Sequence, residues 1–237
     1  MLFSILSSGD PRQIIVELLL TVPVIIFALC IHETAHGYVA WKCGDSTAYN
    51  LGRLSLNPAK HLDLVGTISM LIFGYGWAKP VPVNTRNFRN HKRGMALTAL
   101  AGPLSNLIVG LICTVFTALF YTLTVLLATR NSPEFLATCC YWLTILMEYG
   151  ALINFCFAFF NLIPVPPFDG SRVALLFLPT KTYFKFMRYE REIMFGVLIA
   201  MLLSSRLFNF SPFSWLAYRA FDLVYSPVAK LFINLFF

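Results

Sequence analysis

Charged residues are scarce in this chain. Only 12% of its 237 residues are Asp, Glu, Lys or Arg, whereas 58% are hydrophobic. Soluble domains carry about 25% charged residues, and the apolar residues here gather in runs long enough to cross a bilayer. The composition therefore excludes an ordinary soluble domain and indicates one integral membrane domain over residues 1–237, surrounded by lipid. The first thirteen residues lack the basic region and cleavage site of a signal peptide, so we expect the first apolar helix to be retained.

The sequence also lacks any Cys-x-x-Cys pair. Its six cysteines fall mostly in apolar segments, which is typical of small buried hydrophobic side chains and not of a disulfide framework or a zinc-thiolate site. The net charge of +7 does not indicate a nucleic-acid partner, because the basic residues gather in two regions, 42–93 and 172–191. The positive-inside rule predicts that both regions face the cytoplasm.

The alternation of apolar and polar stretches predicts an all-α, multi-pass bundle of about five to six transmembrane helices. Asp10 and Pro11 form a helix start, and the first helix can run from there to about residue 42. Further helices are predicted over 94–128 and 138–163. C-terminal helices are predicted within 190–237, where the tail from 212 either spans the membrane or lies in its interface.

The region between the first two long helices, 43–93, predicts a small membrane-associated structure. The alternating stretch NLGRLSL at 50–56 predicts a strand or hairpin. The apolar stretch at 62–75 is too short for a span and predicts a re-entrant segment, an interpretation that the distribution of basic residues favours. The stretch WAKPVPVN at 77–84 should be extended, because each proline disfavours helix at the residue before it.

Three ionisable side chains interrupt the first apolar helix in the stretch IHETAHG at 31–37. His32 and His36 are four residues apart, so they share one face of a helix and can bind one metal ion. Glu33 lies beside them and is placed to polarise a zinc-bound water. Ionisable groups at this depth in a membrane are costly and indicate function. The alternative is a structural polar cluster that faces a helix bundle.

A catalytic zinc needs a third protein ligand, and the usual sources are missing. The metzincin pattern does not continue after His36, and no glutamate follows Glu33 before residue 134. Asp169, in the stretch NLIPVPPFDG, is the best candidate, because the predicted topology puts it on the same membrane side as His36 and at a similar depth. Its alternative role is to cap the next helix. His61 and Asp63 are secondary candidates, which could equally cap the 62–75 segment or support a ligand through a hydrogen bond.

These stretches together resemble the site-2 protease family of intramembrane zinc metalloproteases, peptidase family M50. HETAHG and NLIPVPPFDG carry the resemblance, and AGPLSN, GRLSLNPAKHLDLVGT and GWAKPVPVN support it. The resemblance covers residues 14–178 and is greatest to the small bacterial and archaeal branch without a PDZ or CBS domain. It implies one zinc ion (Zn²⁺) per chain bound by His32, His36 and Asp169, with Glu33 as the general base and acid.

The resemblance also implies roles for two asparagines. Asn161 is expected near the substrate or the developing oxyanion, although a helix–helix hydrogen bond is an equally good interpretation. Asn106 is expected to be structural, with Gly102 allowing close helix packing.

The function implied is hydrolysis of a peptide bond within or near the transmembrane segment of a membrane-anchored protein or peptide. The enzyme would lie in a bacterial cell membrane with its active site toward the cytoplasm, and would serve regulated proteolysis or signal-peptide clearance. Two alternatives remain, a metal-binding transporter and an inactive relative that binds partners. The nearly bare outer halves of the helices disfavour the first, and the intact Glu33 disfavours the second. The sequence does not indicate the substrate or the oligomeric state.

Overall fold

The protein is mostly helical. The computed structural model describes residues 10–66, 68, 78–130, 132–166, 168–174, 176–177, 185, 188–207 and 211–236. Its helices are α1 (Pro11–Lys42), α2 (Thr47–Asn50), α3 (His91–Thr129), α4 (Glu134–Asn161), α5 (Asp169–Ala174), α6 (Glu190–Leu207) and α7 (Pro212–Phe236). Two 3₁₀ turns, Pro58–Lys60 and Thr85–Asn87, lie between α2 and α3. Over the described ranges no sheet forms, and the strand pairing consists of one antiparallel bridge between Leu62 and Ala78.

Among the described residues, three helices are long and apolar enough to cross a membrane, namely Ile14–Lys42, His91–Thr129 and Glu134–Asn161. The shortest, with 28 residues, is about 42 Å long, which exceeds a hydrocarbon core of about 30 Å. The chain is a membrane protein, as its composition predicts. The helices α6 and α7 are not among these three, so the predicted total of five to six spans stays a prediction.

The boundaries of the long helices agree well with the sequence. Asp10 caps α1 as predicted, since its Oδ1 accepts the N–H of Arg12 at 2.9 Å with Pro11 in the first helical position. The helix predicted at 94–128 begins at 91 and ends at 129, and the one predicted at 138–163 begins at 134 and ends at 161. These errors of up to four residues leave HETAHG on α1 and AGPLSN on α3, as predicted.

The strand or hairpin predicted at 50–56 is wrong. The chain there leaves α2 through a turn in which Gly52 has a φ of +62°, and continues without regular structure. The carbonyl of Ser55 accepts from the Thr34 hydroxyl at 3.0 Å and from His61 Nε2 at 2.6 Å. These side chains supply the hydrogen bonds that the backbone of a neighbouring strand would otherwise make. Of the apolar residues in this stretch, Leu54 lies against Gly37 of α1, whereas Leu51 and Leu56 are exposed.

The predicted re-entrant segment at 62–75 lies mostly outside the described residues. The described part, 62–66 and 68, begins with the bridge at Leu62 and is helical at 64–66 and 68. Residues 78–84 are described, and beyond the bridge at Ala78 they have no regular secondary structure, as the prolines predict.

The chain forms two compact units, and the first contains Met1–Ser105 with Phe160–Met201. In this unit, the segment after α1 folds back on the end of the helix. Asp45 is fully buried, and its carboxylate accepts from the N–H of Asn84 at 2.6 Å, from Asn87 Nδ2 at 2.8 Å, and from the N–H and hydroxyl of Thr47. Burial would raise the pKa of the Asp45 carboxyl, but these four hydrogen bonds hold it below its ordinary value.

The second unit contains Asn106–Phe159 with Leu202–Phe237. Its core joins Ala151 and Phe155 of α4 to Ala217 and Phe221 of α7. Hydroxyls on α3 donate to carbonyls of the preceding helical turn, which satisfies polar groups inside an apolar helix.

Two buried asparagines link helices α3 and α4 within the second unit. The Nδ2 of Asn106 donates to the Oδ1 of Asn154 at 2.9 Å, and the Nδ2 of Asn154 donates to the Gly150 carbonyl at 2.8 Å. Both side chains are almost fully buried. Asn106 thus makes the helix–helix contact expected of a structural residue.

Candidate metal centre

The side chains of His32, His36 and Asp169 come together in the first unit. The Nε2 atoms of His32 and His36 lie 3.0 Å and 3.1 Å from Oδ2 of Asp169. One ligand atom from each residue lies within 4.8 Å of the other two. Zinc bonds to imidazole nitrogen and carboxylate oxygen are about 2.0–2.2 Å, so neighbouring ligands in a tetrahedral site lie roughly 3.3 Å apart. The three side chains therefore have a spacing close to that of ligands around one zinc ion.

The two imidazoles are oriented by α1 and by a backbone carbonyl. Their ring centroids are 4.6 Å apart and the rings are nearly perpendicular, with an interplanar angle of 87°. The Nδ1 of His36 lies 2.7 Å from the carbonyl of Thr98 on α3. A carbonyl only accepts, so Nδ1 must carry a proton; in the neutral imidazole, the form that binds metals, Nε2 then keeps its lone pair. This carbonyl–histidine arrangement is typical of metal-ligating histidines.

Helix α3 approaches the imidazoles through Gly102 in the stretch AGPLSN. A Cβ atom placed on Gly102 would lie 2.5 Å from Nε2 of His36 and 2.6 Å from Cε1 of His32. Real Cβ atoms essentially never approach so closely. A glycine at this position therefore gives the imidazoles the space that they occupy.

Asp169 is the first residue of α5 and follows the proline-rich end of α4. A Cβ atom on Gly170 would overlap the carbonyl oxygens of Leu162 and Ile163, so glycine is needed for the chain to turn back tightly after α4. The Phe168 ring packs edge-on against Phe160, with centroids 4.4 Å apart. Burial would raise the pKa of the Asp169 carboxyl, but its bonds to the two histidines hold that pKa below its ordinary value. Asp169 is thus presented as a carboxylate, the form that binds metals.

Glu33 is held beside this cluster by a backbone amide. Its Oε2 accepts the N–H of Val81 at 2.8 Å. Val81 belongs to residues 79–84, KPVPVN, which we call the strap. The Nη2 atom of Arg53 donates to two strap carbonyls, those of Lys79 at 2.8 Å and Pro80 at 3.2 Å. Sequence reasoning missed both Arg53 and Val81; the available signal was the Pro-Val-Pro pattern.

The secondary candidates His61 and Asp63 have other partners. His61 is fully buried and donates from Nε2 to the Ser55 carbonyl at 2.6 Å. The Oδ1 of Asp63 accepts the N–H of Gly66 at 2.8 Å, which caps a helical turn. Among the described residues, the group that could hold a metal is His32, His36 and Asp169 and does not include either of them. Asn161 is the half-buried last residue of α4, and its contact with substrate stays a prediction.

Comparison with known proteins gives a consistent set of relatives. The model of Peptidase family M50 matches residues 20–205. "Putative zinc metalloprotease YwhC" of Bacillus subtilis is 42% identical over 149 residues, covering 63% of this chain and 64% of that protein. "Putative zinc metalloprotease Rip2" of Mycolicibacterium smegmatis is 28% identical over 154 residues, covering 61% of this chain and 52% of that protein.

A third relative, "Putative zinc metalloprotease MJ0611" of Methanocaldococcus jannaschii, is 28% identical over 166 residues, covering 67% of this chain and 74% of that protein. The chain therefore spans less than two thirds of the length of the first two relatives. No solved structure matches it.

Proposed function

This chain belongs to peptidase family M50, and we propose that it is a zinc metalloendopeptidase of the HExxH type. Its substrate would be a membrane-anchored protein or peptide, cut within or near a transmembrane segment. The observation that carries the proposal is the convergence of His32, His36 and Asp169 on one point beside Glu33. The names of the three relatives support the same chemistry.

We assign one zinc ion per chain to His32, His36 and Asp169. Two imidazoles and one carboxylate are a common donor set for catalytic zinc, which keeps a further position open. Three features of the site fit this ion, namely the ligand spacing, the protonated Nδ1 of His36 and the space left by Gly102. When bound, zinc supplies a Lewis acid that activates water and polarises the scissile carbonyl.

Glu33 would serve as the general base and then as the general acid. Its carboxylate takes the proton of the attacking water and passes it to the leaving amine. Val81 holds Oε2, which leaves Oε1 as the oxygen that accepts this proton. Asn161, at the end of α4, is our candidate for contact with the substrate.

The membrane setting follows from the apolar helices and the positive-inside rule. We propose a multi-pass protein of the bacterial cell membrane with the site toward the cytoplasm, since the basic residues gather in regions 42–93 and 172–191 of the sequence. A helical substrate must unwind locally before attack, because its amides are hydrogen-bonded.

The hydrogen bonds of the strap argue against strand addition of the substrate along residues 79–84. A strand partner needs free N–H and carbonyl groups. In the strap, Arg53 occupies the carbonyls of Lys79 and Pro80, and Glu33 occupies the N–H of Val81. The strap therefore uses these backbone groups to bind Glu33 of α1 and Arg53, and we assign no strand-addition site to it.

Replacement of Glu33 by Gln tests the proposed function. The variant should keep its zinc, measured by elemental mass spectrometry, and should lose proteolysis by a factor on the order of 10³ or more. Since the substrate is unidentified, membrane proteomes of cells expressing the wild type and the variant would be compared for proteins that are cut only by the wild type. Glu134→Gln, the same change at an exposed position on α4, is the matched control and should act like the wild type.

The same experiment separates the alternatives. A metal transporter would move zinc into vesicles equally well with Gln at position 33, and an inactive relative would give identical proteomes for the two proteins. Either result would overturn the assignment.

A further inference from the structure

We propose that the backbone N–H of Val81 positions the Glu33 carboxylate for catalysis, and that Arg53 is the positioning residue that holds this N–H in place. The inference rests on the proposed function, because it names what orients the general base. It follows from the strap sequence, from the contacts that fix the strap, and from the geometry at Glu33.

The strap sequence leaves a single donor at its centre. Pro80 and Pro82 have no N–H, so Val81 carries the only amide proton between Lys79 and Val83. Each proline also restricts the residue before it to extended backbone. The segment is therefore stiff, and its one central donor is directed at Glu33.

Contacts on both sides of Val81 fix the strap. Before Val81, the guanidinium of Arg53 binds the carbonyls of Lys79 and Pro80, and the N–H of Lys79 donates to the His61 carbonyl at 2.7 Å. After Val81, the N–H of Asn84 donates to the buried Asp45 carboxylate. The strap is thus tied at both ends to groups outside it.

The Val81 side chain fixes the centre of the strap against α1. It is only 8% exposed, and its Cγ1 lies 3.0 Å from where a Cβ on Gly37 would be. Gly37 directly follows the proposed ligand His36. A displacement of the strap would therefore break packing on the same helix that carries Glu33 and both histidines.

The hydrogen bond at Glu33 has the geometry expected for orientation of a base. An amide that binds one oxygen of a carboxylate restricts rotation of the carboxyl plane, and bonds to charged acceptors are stronger than neutral ones. Catalytic groups work when held within about 0.5 Å of their productive position. With Oε2 bound at 2.8 Å, the other oxygen is the one left to act.

Amide hydrogen exchange in the metal-free protein tests the contact without any activity measurement. The strap has four exchangeable amides, those of Lys79, Val81, Val83 and Asn84, and all but the Val83 amide have a hydrogen-bond partner among the described residues. Replacement of Glu33 by Ala should add one rapidly exchanging deuteron to peptides that cover the strap. Replacement by Gln should add none, because its amide oxygen still accepts. Equal uptake in the wild type and the Ala variant, or extra uptake in both variants, would refute the contact.

Kinetics then test whether the contact matters for catalysis. Val81→Pro removes the donor, and Val83→Pro is the matched control, since it places the same residue on the strap where no bonded N–H is lost. We expect Val81→Pro to lower kcat by about 10- to 100-fold with zinc content and KM nearly unchanged, as for other supporting contacts in metal sites. The Val83→Pro control should stay within about 3-fold of the wild type by the same comparison. Equal losses in both proline variants, or a loss confined to KM, would contradict the proposal.

Arg53→Ala provides a second route if Val81→Pro does not fold. It should raise exchange at Val81 and lower kcat, whereas Arg86→Ala, an exposed arginine on the neighbouring 3₁₀ turn, should do neither. The proposed function and the role of the strap can be refuted separately. An active Glu33→Gln variant sinks the proposed function, whereas an inactive Glu33→Gln variant together with a fully active Arg53→Ala variant sinks only the role of the strap.

Discussion

Two buried polar clusters interrupt the apolar helices of this protein, and they differ in how their lone pairs are used. In the Asn106–Asn154 pair, the Nδ2 of Asn106 donates to Oδ1 of Asn154, and the Nδ2 of Asn154 donates to the Gly150 carbonyl. In the cluster of His32, His36 and Asp169, two imidazole nitrogens converge on one carboxylate oxygen. Buried polarity in a membrane helix is therefore not enough to identify a metal site. The convergence of lone pairs on one point is what distinguishes the second cluster.

The largest expected difference between the clusters is in metal binding. Asp169→Ala removes one of three ligands, so we expect loss of bound zinc and a fall in proteolysis on the order of 10³-fold or more. Asn154→Ala removes the acceptor of Asn106 Nδ2 and should cost about 1–3 kcal/mol of unfolding free energy while zinc is retained. Elemental mass spectrometry and thermal unfolding in detergent measure the two effects. If Asp169→Ala kept its full zinc content, or if Asn154→Ala lost its zinc, the two clusters would not differ in metal binding as proposed.

A smaller difference is expected at two glycines on α3. Gly102→Ala would push a methyl group into both imidazoles, which lie 2.5–2.6 Å from the added atom, and should weaken zinc binding by about 10- to 100-fold. Gly110→Ala meets the buried Phe155 ring at 2.7 Å and should cost about 1–3 kcal/mol in stability through overpacking, with zinc affinity unchanged. Competition with a chromogenic chelator gives both affinities. Equal affinities in the two variants would mean that Gly102 does not shape the site.

The parts of this molecule that sequence could predict are those set by local periodicity. The cap at Asp10 and the shared face of His32 and His36 follow from helix geometry. Asp169 required a topological argument, since it lies 137 residues from His32, and the distribution of basic residues supplied that argument. All three side chains lie together in the structure.

The parts that sequence could not predict depend on contacts between distant segments. The alternating residues at 50–56 predicted a strand, but a strand needs a partner, and Thr34 and His61 bind the Ser55 carbonyl instead. Arg53 and the Val81 amide escaped notice for the same reason. A single arginine has no distinctive pattern, and the Pro-Val-Pro stretch isolates the Val81 N–H as a donor without showing that its acceptor is Glu33.

The smallest predicted effect concerns Asp45, a buried carboxylate that accepts four hydrogen bonds. Its pKa in the folded protein is lowered, so its stabilisation is complete above its unfolded pKa of about 3.9 and is lost as the pH falls through the folded value. In metal-free protein, Asp45→Asn should cost about 1 kcal/mol at pH 7, and the gap from the wild type should shrink as the pH falls below about 4.

Thermal unfolding of the wild type and the Asp45→Asn variant across this pH range measures the gap, and zinc content at pH 7 should not change. A gap that widens on acidification would show that the carboxylate is not the stabilising form. Loss of zinc would show that Asp45 acts on the metal centre. The comparison of the two clusters predicts that a buried polar group whose hydrogen bonds are satisfied stabilises the fold and does not contribute to the metal site. Either outcome would contradict that prediction for Asp45.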